Sequence, residues 1–324
     1  MTNSNSSNSP YILEMRNVSK TFPGVKALDQ INLRVKRGSV HALMGENGAG
    51  KSTLMKILYG IYIPDEGGEL ILDDKPFKPG RPIDAIRRGL TMVPQEISPA
   101  ANLTIADNFY LGREITKGKF FLNQKAMNEQ ASAILKELGV PMDVTEKMSD
   151  VSVAKAQLVA IATAVSNDAK VIIMDEPTTA LTENEVDQLY RIIETVKARG
   201  IAIIFISHKL DEVFRVSDEI TVIRDGQYVD TKPTKEVTKE QLISMMVGRD
   251  MSEMFQRERF ELSDEIVLEI KHFTREGKYQ DINFAVRKGE IFGIAGLVGA
   301  GRSEIVEGLF GYKPADSGEI YIGD

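Results

Sequence analysis

The chain's 324 residues are enough for one large or two ordinary domains, each with its own core. A formal net charge of −7 argues against a broad nucleic-acid-binding surface, and the lack of cysteine excludes disulfides and thiolate metal sites. No run of eighteen apolar residues occurs, so no bilayer-spanning helix is expected from a composition that is 42% hydrophobic and 27% charged.

Residues 1–10 are Asn/Ser-rich and uncharged, which reads as a disordered leader and not as a secretory signal. Tyr11 to Val18 predicts a first strand, Thr21-Phe22-Pro23-Gly24 a turn, and Ile31 to Val35 a half-buried strand with alternating polarity. Phe22 is the one aromatic of that turn; stacking on a purine ring and plain packing suit it equally. Lys36-Arg37-Gly38 then turns the chain into the apolar run that ends at Met44.

Gly45-Glu46-Asn47-Gly48-Ala49-Gly50-Lys51-Ser52 follows, and Thr53 to Leu58 continues as a helix. Strand, glycine-rich loop and helix in this order are the context a phosphate-binding P-loop requires. Gly45, Asn47, Gly48 and Gly50 let backbone N–H groups converge on a phosphate, and the helix N-terminus adds positive dipole. Lys51 adds a full charge, Ser52 offers a hydroxyl to Mg²⁺, and Thr53 completes the expected nucleotide-binding set.

Further along, Ile83 to Arg88 predicts a short helix and Leu90 to Val93 a buried strand that stops at Pro94-Gln95-Glu96. Gln95, at the C-terminal end of a central strand, is placed to touch Mg²⁺ or an attacking water; a solvated turn residue is the plainer alternative. From Ile105 to Leu138 the pattern turns helical, and a second helix begins at Ser152 as N-cap. Both point to an inserted helical subdomain at about residues 98–165. Val171 to Glu176 is a buried strand ending in two acids: Asp175 to hold Mg²⁺ and Glu176 to act as general base on water. Glu183 to Arg199 predicts an amphipathic helix, and Ile201 to Ile206 another buried strand, which ends at Ser207-His208. His208 is suited to donate to the γ-phosphate or to steady the water beside Glu176. A hairpin about Asp225-Gly226 and a helix from Lys239 to Val247 close the first domain, residues 11–247. A charged linker is expected over residues 248–264.

Residues 265–324 then repeat the opening of the first domain. Gly296 to Ser303 repeats the P-loop spacing at a constant offset of 251 residues, with Gly296, Gly301, Arg302 and Ser303 at the positions of Gly45, Gly50, Lys51 and Ser52. The repeat supplies no counterpart to Gln95, Asp175-Glu176 or His208, so a duplicated ATPase cut short is the expectation, with the longer chain roughly 500 residues by doubling.

The chain resembles the ATPase subunits of ABC transporters, most closely the tandem-domain ATPases of ribose-, galactose- and xylose-type sugar importers. The resemblance rests on Gly45 to Ser52, Val93 to Glu96, Thr104 to Glu114, Met174 to Thr182 and Ile206 to His208. It implies an α/β P-loop NTPase fold with an antiparallel β subdomain and an inserted helical subdomain. It further implies ATP and Mg²⁺ as ligands, Phe22 as the adenine-stacking aromatic, Gln95 as the residue facing membrane subunits, and His208 as the switch histidine. The implied partners are membrane-spanning permease subunits and, indirectly, a solute-binding protein, with no nucleic acid. The implied location is cytoplasmic, on the inner face of the cell membrane through those partners. A soluble ABC-type switch in translation or DNA repair is the alternative from another class; the net charge and the absence of basic arms speak against it.

Two departures stand out. The family signature, usually Leu-Ser-x-Gly-Gln, reads Val151-Ser152-Val153-Ala154-Lys155, and the second P-loop carries Arg302 in place of lysine. The resemblance implies head-to-tail pairing of ATPase domains, with Ser152 reaching the phosphate held by the opposite loop. On that pairing both departures fall in one degenerate site, and the intact first P-loop awaits a signature from elsewhere.

Overall fold

The computed structural model describes residues 9–118, 121–166, 168–248, 263–297 and 299–323. They fall into two compact units, Met1–Met254 and Phe255–Asp324. Most of the expected leader, residues 1–8, and most of the expected linker, residues 249–262, lie outside the described residues.

In chain order the first unit runs β1 (Tyr11–Phe22), β2 (Val25–Lys36), β3 (Val40–Met44), α1 (Lys51–Leu58), β4 (Glu69–Leu72), β5 (Lys75–Pro76), α2 (Pro82–Arg87) and β6 (Leu90–Val93). The helical layer follows, with α3 (Ile105–Phe109), the short hairpin β7 (Thr116–Lys117) and β8 (Phe121–Leu122), α4 (Gln124–Glu137) and α5 (Val153–Val165). The unit closes with β9 (Val171–Asp175), α6 (Glu183–Ala198), β10 (Ala202–Ile206), α7 (Leu210–Val216), β11 (Glu219–Arg224), β12 (Gln227–Pro233) and α8 (Lys239–Val247).

Ten of these strands form one sheet in the order β5-β4-β1-β2-β12-β11-β3-β10-β9-β6. Its half from β11 to β6 is parallel, whereas β1 pairs antiparallel with both β2 and β4. The two halves meet where Gln227 pairs Asp29. Residues of the parallel strands alternate between two cores: Ala42, Ile172, Met174, Ile203 and Phe205 face one, and Leu43, Ile173, Ala202 and Ile204 face the other. A strand buried on both faces favours apolar residues at every position, which explains the runs Ala42 to Met44, Val171 to Met174 and Ala202 to Ile206; the buried His41 of β3 is the exception, its Nε2 bonded to Thr221 Oγ1. The first core joins the sheet to α3, α4, α5 and α6; the second packs it on α1 and the antiparallel strands.

Three expectations need correction. The first strand runs through Phe22, because Thr21 and Phe22 still pair Lys26 and Val25, so the turn is confined to Pro23-Gly24. The stretch from Ile105 to Leu138 is not continuously helical: α3 ends at Phe109, and α4 starts afresh at the N-cap Asn123, whose Oδ1 accepts from the Ala126 amide at 3.3 Å. Gly112 and Gly118, poor helix formers, separate them. A helix not expected from the sequence, α7, follows His208 directly.

The second unit pairs Ile266–Arg275 antiparallel with Tyr279–Arg287 and with Ser317–Ile322. Its small core stacks Phe273 on Tyr279 at 5.4 Å beside Ile270 and Ile305. Gly308 makes the room, since a Cβ there would stand 2.4 Å from the Tyr279 hydroxyl. The repeat shows in the backbone: Asn17 and Gln30 are left-handed, and so are His272 and Asp281. Correspondingly, Asn32 Oδ1 accepts from the Asn17 amide, and Asn283 Oδ1 from the His272 amide. The stretch expected to repeat β3 does not: residues 290–297 form no strand, and Ile291 is 91% exposed. In the first unit β3 is flanked by β10 and β11, and no strand flanks this stretch among the described residues of its unit.

Candidate functional site

The P-loop leaves the C-terminal end of β3 between its neighbours β10 and β11. Gly45 is forced by close approach, because a Cβ there would sit 2.2 Å from the carbonyl oxygen of Ile223 on β11. Gly50 ends the loop in a left-handed conformation, φ 102°, as the N-cap of α1, and a Cβ there would meet the Ala27 carbonyl oxygen at 2.8 Å. The chain therefore enters α1 with Lys51, Ser52 and Thr53 in its first turn, where backbone N–H groups have no partner inside the helix. Lys51 Nζ donates back to the carbonyls of Gly45, at 2.6 Å, and Glu46, at 3.0 Å. Burial pushes its pKa down, against the pull of Glu176 and Asp175.

A cleft of about 250 Å³ opens beside this turn, lined by Asn47, Gly48, Gly50, Lys51, Ser52 and Thr53 from the loop and helix, by Gln95 after β6, and by Asp175 and Glu176 at the end of β9. Four segments that are distant in sequence meet here because β6, β9, β10 and β3 are adjacent and parallel. Ala27 and Ile206 complete the lining. Sequence reading missed both, since neither side chain carries chemistry.

Glu176 is the most constrained residue of the site. It holds φ 46°, a left-handed backbone unusual outside glycine, and its amide donates to the Ile206 carbonyl at 2.9 Å. Gln95 Nε2 donates to its Oε2 at 2.9 Å, and Nδ1 of His208 lies 3.0 Å from its Oε1. His208 is itself 62% exposed on the side chain and lies outside the cleft lining, joined to it through Glu176. Asp175 is half-buried, and burial, followed by the neighbouring Glu176 charge, pushes its carboxyl pKa up.

This donor set fits a magnesium nucleotide. Mg²⁺ takes few protein ligands, keeping waters and phosphate oxygens, and Ser52, Gln95 and Asp175 line one cleft as oxygen donors. The raised pKa of Asp175 marks a carboxylate whose charge a cation would relieve. Among the described residues no group of three or more acidic or histidine side chains is arranged to hold a metal ion by itself.

The remaining candidates lie elsewhere. Phe22 is absent from the cleft lining; its ring packs edge-on against Tyr62 at 5.2 Å with Lys20 Nζ 5.4 Å above it. Ser152 caps α5, its Oγ accepting from the Lys155 amide at 3.3 Å, and lies outside the cleft lining. In the second unit Gly301 is the left-handed N-cap of the helix Arg302–Leu309, and a Cβ there would meet the Lys278 carbonyl oxygen at 2.8 Å, as at Gly50. Gly296 precedes that turn, and Arg302 and Ser303 open the helix, so the turn into this helix repeats the one at Gly50, with no strand over residues 290–297.

Residues 28–179 match the family model described as ABC transporter. The chain is 48% identical over 313 residues to a putative ribose/galactose/methyl galactoside import ATP-binding protein of Geobacillus kaustophilus, covering 96% of this chain and 62% of that protein. It is 48% identical over 317 residues to the galactose/methyl galactoside import ATP-binding protein MglA of Fusobacterium nucleatum, covering 97% and 63%. The chain thus spans about six tenths of the length of the curated relatives it matches. Among solved structures, the ADP conformation of MJ1267, an ATP-binding cassette of an ABC transporter, superposes with a TM-score of 0.64 at 26% identity, over 77% of this chain and 100% of that one. CbiO1 from Clostridium perfringens gives 0.61 at 25% identity, over 76% and 98%. Sequence match, sheet order and cleft together make the first unit similar to the ATP-binding cassettes of ABC transporters.

Proposed function

We propose that the chain binds ATP with Mg²⁺ and hydrolyses it to power import of a sugar through membrane-spanning permease subunits. The observation that carries this reading is the placement of Glu176, in the lining of the P-loop cleft, between Gln95 and His208. The loop amides and Lys51 bind the phosphates, and a Mg²⁺ held by Ser52, Asp175 and Gln95 would neutralise charge on them. Glu176 accepts the proton of the attacking water; Gln95 and His208 fix its two oxygens so that the carboxylate faces the cleft. The names of relatives near 48% identity support sugar import over a soluble nucleotide switch.

Residues 11–247 are proposed as one cassette, with its helical subdomain at about 98–165, and 265–324 as the opening of a second, joined by a linker over 248–264. In the paired state Ser152 would face an opposite P-loop, with the Arg302 loop the weaker nucleotide site. A second cavity of about 260 Å³, lined by Pro94, Ile97, Pro99, Met148 and Ala160 between β6 and the helical layer, supports permease docking beside Gln95. No helix among the described residues is long and apolar enough to cross a membrane. Attachment to the inner face of the cell membrane through the permease is part of this proposal.

The test is nucleotide binding and turnover by the wild type beside Lys51→Ala and Glu176→Gln. Loss of binding in the first and of turnover alone in the second supports the reading; unchanged binding in Lys51→Ala rejects it.

A further inference from the structure

Glu212 lies in the first turn of α7 and is only 7% exposed, an unusual setting for a carboxylate that no step above uses. Its carboxylate is not spent on capping α7. Its Oε2 instead accepts two hydrogen bonds, from Thr178 Oγ1 at 2.9 Å and from Ser207 Oγ at 2.8 Å. Both hydroxyl residues are buried, at 2% and 3% exposure. Lys209 Nζ neutralises the other oxygen, Oε1, at 3.1 Å and reaches Thr178 Oγ1 at 3.4 Å. The Lys209 amide donates to Ser207 Oγ at 3.1 Å, so the cluster has no unpartnered polar atom.

The two hydroxyls belong to the two loops that carry the chemistry. Thr178 is two residues after Glu176, and Ser207 is immediately before His208. One oxygen atom therefore ties the loop leaving β9 to the loop leaving β10. Besides the Lys209–Thr178 contact and the Glu176–His208 pair itself, the two loops are joined by the backbone bond from the Glu176 amide to Ile206. That bond sets the height of Glu176 but not the lateral spacing of the two side chains.

We infer that Glu212 is a positioning residue that fixes the Glu176–His208 spacing by gripping Thr178 and Ser207 with a single carboxylate oxygen. The inference rests on the ATPase reading of the cleft. Glu212 lies outside the cleft lining. Its effect falls on the rate of the chemical step and leaves nucleotide affinity alone, because the phosphate cradle is built from other segments.

The experiment uses the full chain with Thr178→Val, Ser207→Ala and Glu212→Gln, and with Thr178→Ser as the variant that keeps the hydroxyl. Three readings are taken: fluorescent-ATP affinity, single-turnover hydrolysis, and the ¹⁵N imidazole spectrum of His208, assigned with His208→Ala among the three histidines of the chain. The account expects Thr178→Val, Ser207→Ala and Glu212→Gln to bind within about twofold of wild type, to hydrolyse about tenfold to a hundredfold more slowly, and to shift the His208 signal. Thr178→Ser should behave as wild type in all three. An unshifted His208 signal in folded Thr178→Val and Ser207→Ala overturns the inference, and those two variants decide it should Glu212→Gln fail to fold. If the wild type does not hydrolyse ATP, the ATPase reading fails instead, and the imidazole spectrum still decides whether Glu212 sets the spacing.

Discussion

Glu176 and His208 follow different strands, yet Oε1 of one lies 3.0 Å from Nδ1 of the other. Sheet register brings them close: β9 and β10 run parallel with Asp175 opposite Ile206, so the next residues of both strands leave the sheet at the same edge. On the proposed ATPase reading, this carboxylate and imidazole form the acid-base pair that acts on the attacking water.

Lys51 is desolvated in the fold and sits on two carbonyls, so its charge serves ligand binding at some cost in stability. Lys51→Met is expected to weaken nucleotide binding about 10- to 100-fold, the worth of a charged hydrogen bond, while the melting temperature stays level or rises. Titration with a fluorescent nucleotide and a thermal melt check the two halves.

Gly45→Ala should damage the cradle without touching its charges. The added methyl must displace the backbone of β11 at Ile223 or the loop itself, and a loss of about 1–3 kcal/mol is expected, with weaker nucleotide binding. Gly48→Ala, where a Cβ meets nothing within 4 Å, carries only the strain of φ 85° and should lose less. Urea unfolding of the pair gives the comparison.

The ion-pair staple about Asp73 predicts a pH dependence. Hydrogen bonds from Lys170, at 2.5 Å, and Arg37, at 2.7 Å, hold its pKa down from 3.8 to about 2. A depressed carboxyl pKa means that protons bind more readily to the unfolded chain, so the staple stabilises above pH 4 and its contribution fades as pH falls from about 4 to 2. Asp73→Asn is expected to cost about 1 kcal/mol at pH 7, because the groups are partly exposed, and almost nothing at pH 2. Melting curves of both proteins at the two pH values test this.

Ser152 has a structural task, capping α5, and a proposed ligand task. Ser152→Ala should cost about 1 kcal/mol of stability through the lost cap. Ser152→Asp keeps a capping oxygen but sets a negative charge where a phosphate is proposed, so its stability should be retained while turnover in the paired state falls. A melt combined with an ATPase assay separates the two roles.

The parallel strands and the P-loop were legible in the sequence because their physics is local: Val171 to Met174 is apolar without a break, and Gly45 to Ser52 carries its own backbone requirements. Phe22 was harder to read, since a lone aromatic gives no sign of whether it meets a base or Tyr62. The stretch before the second P-loop misled for the opposite reason. Ile291 to Ala295 has the composition of a strand, but a strand needs neighbours, and none lies beside it among the described residues of its unit. The Thr178–Glu212–Ser207 cluster left no trace in sequence, because its three members meet only through the packing of α7 against two loops.

The central claim is that Glu176 drives hydrolysis of an ATP held by the Lys51 cradle, and Glu176→Gln tests it most directly. The measurement pairs equilibrium ATP binding with single-turnover hydrolysis, protein in excess, for the wild type and this variant. The account predicts affinity within about threefold of wild type and a hydrolysis rate lower by at least about 100-fold, the scale of general-base catalysis. Hydrolysis that survives Glu176→Gln at the wild-type rate would contradict it.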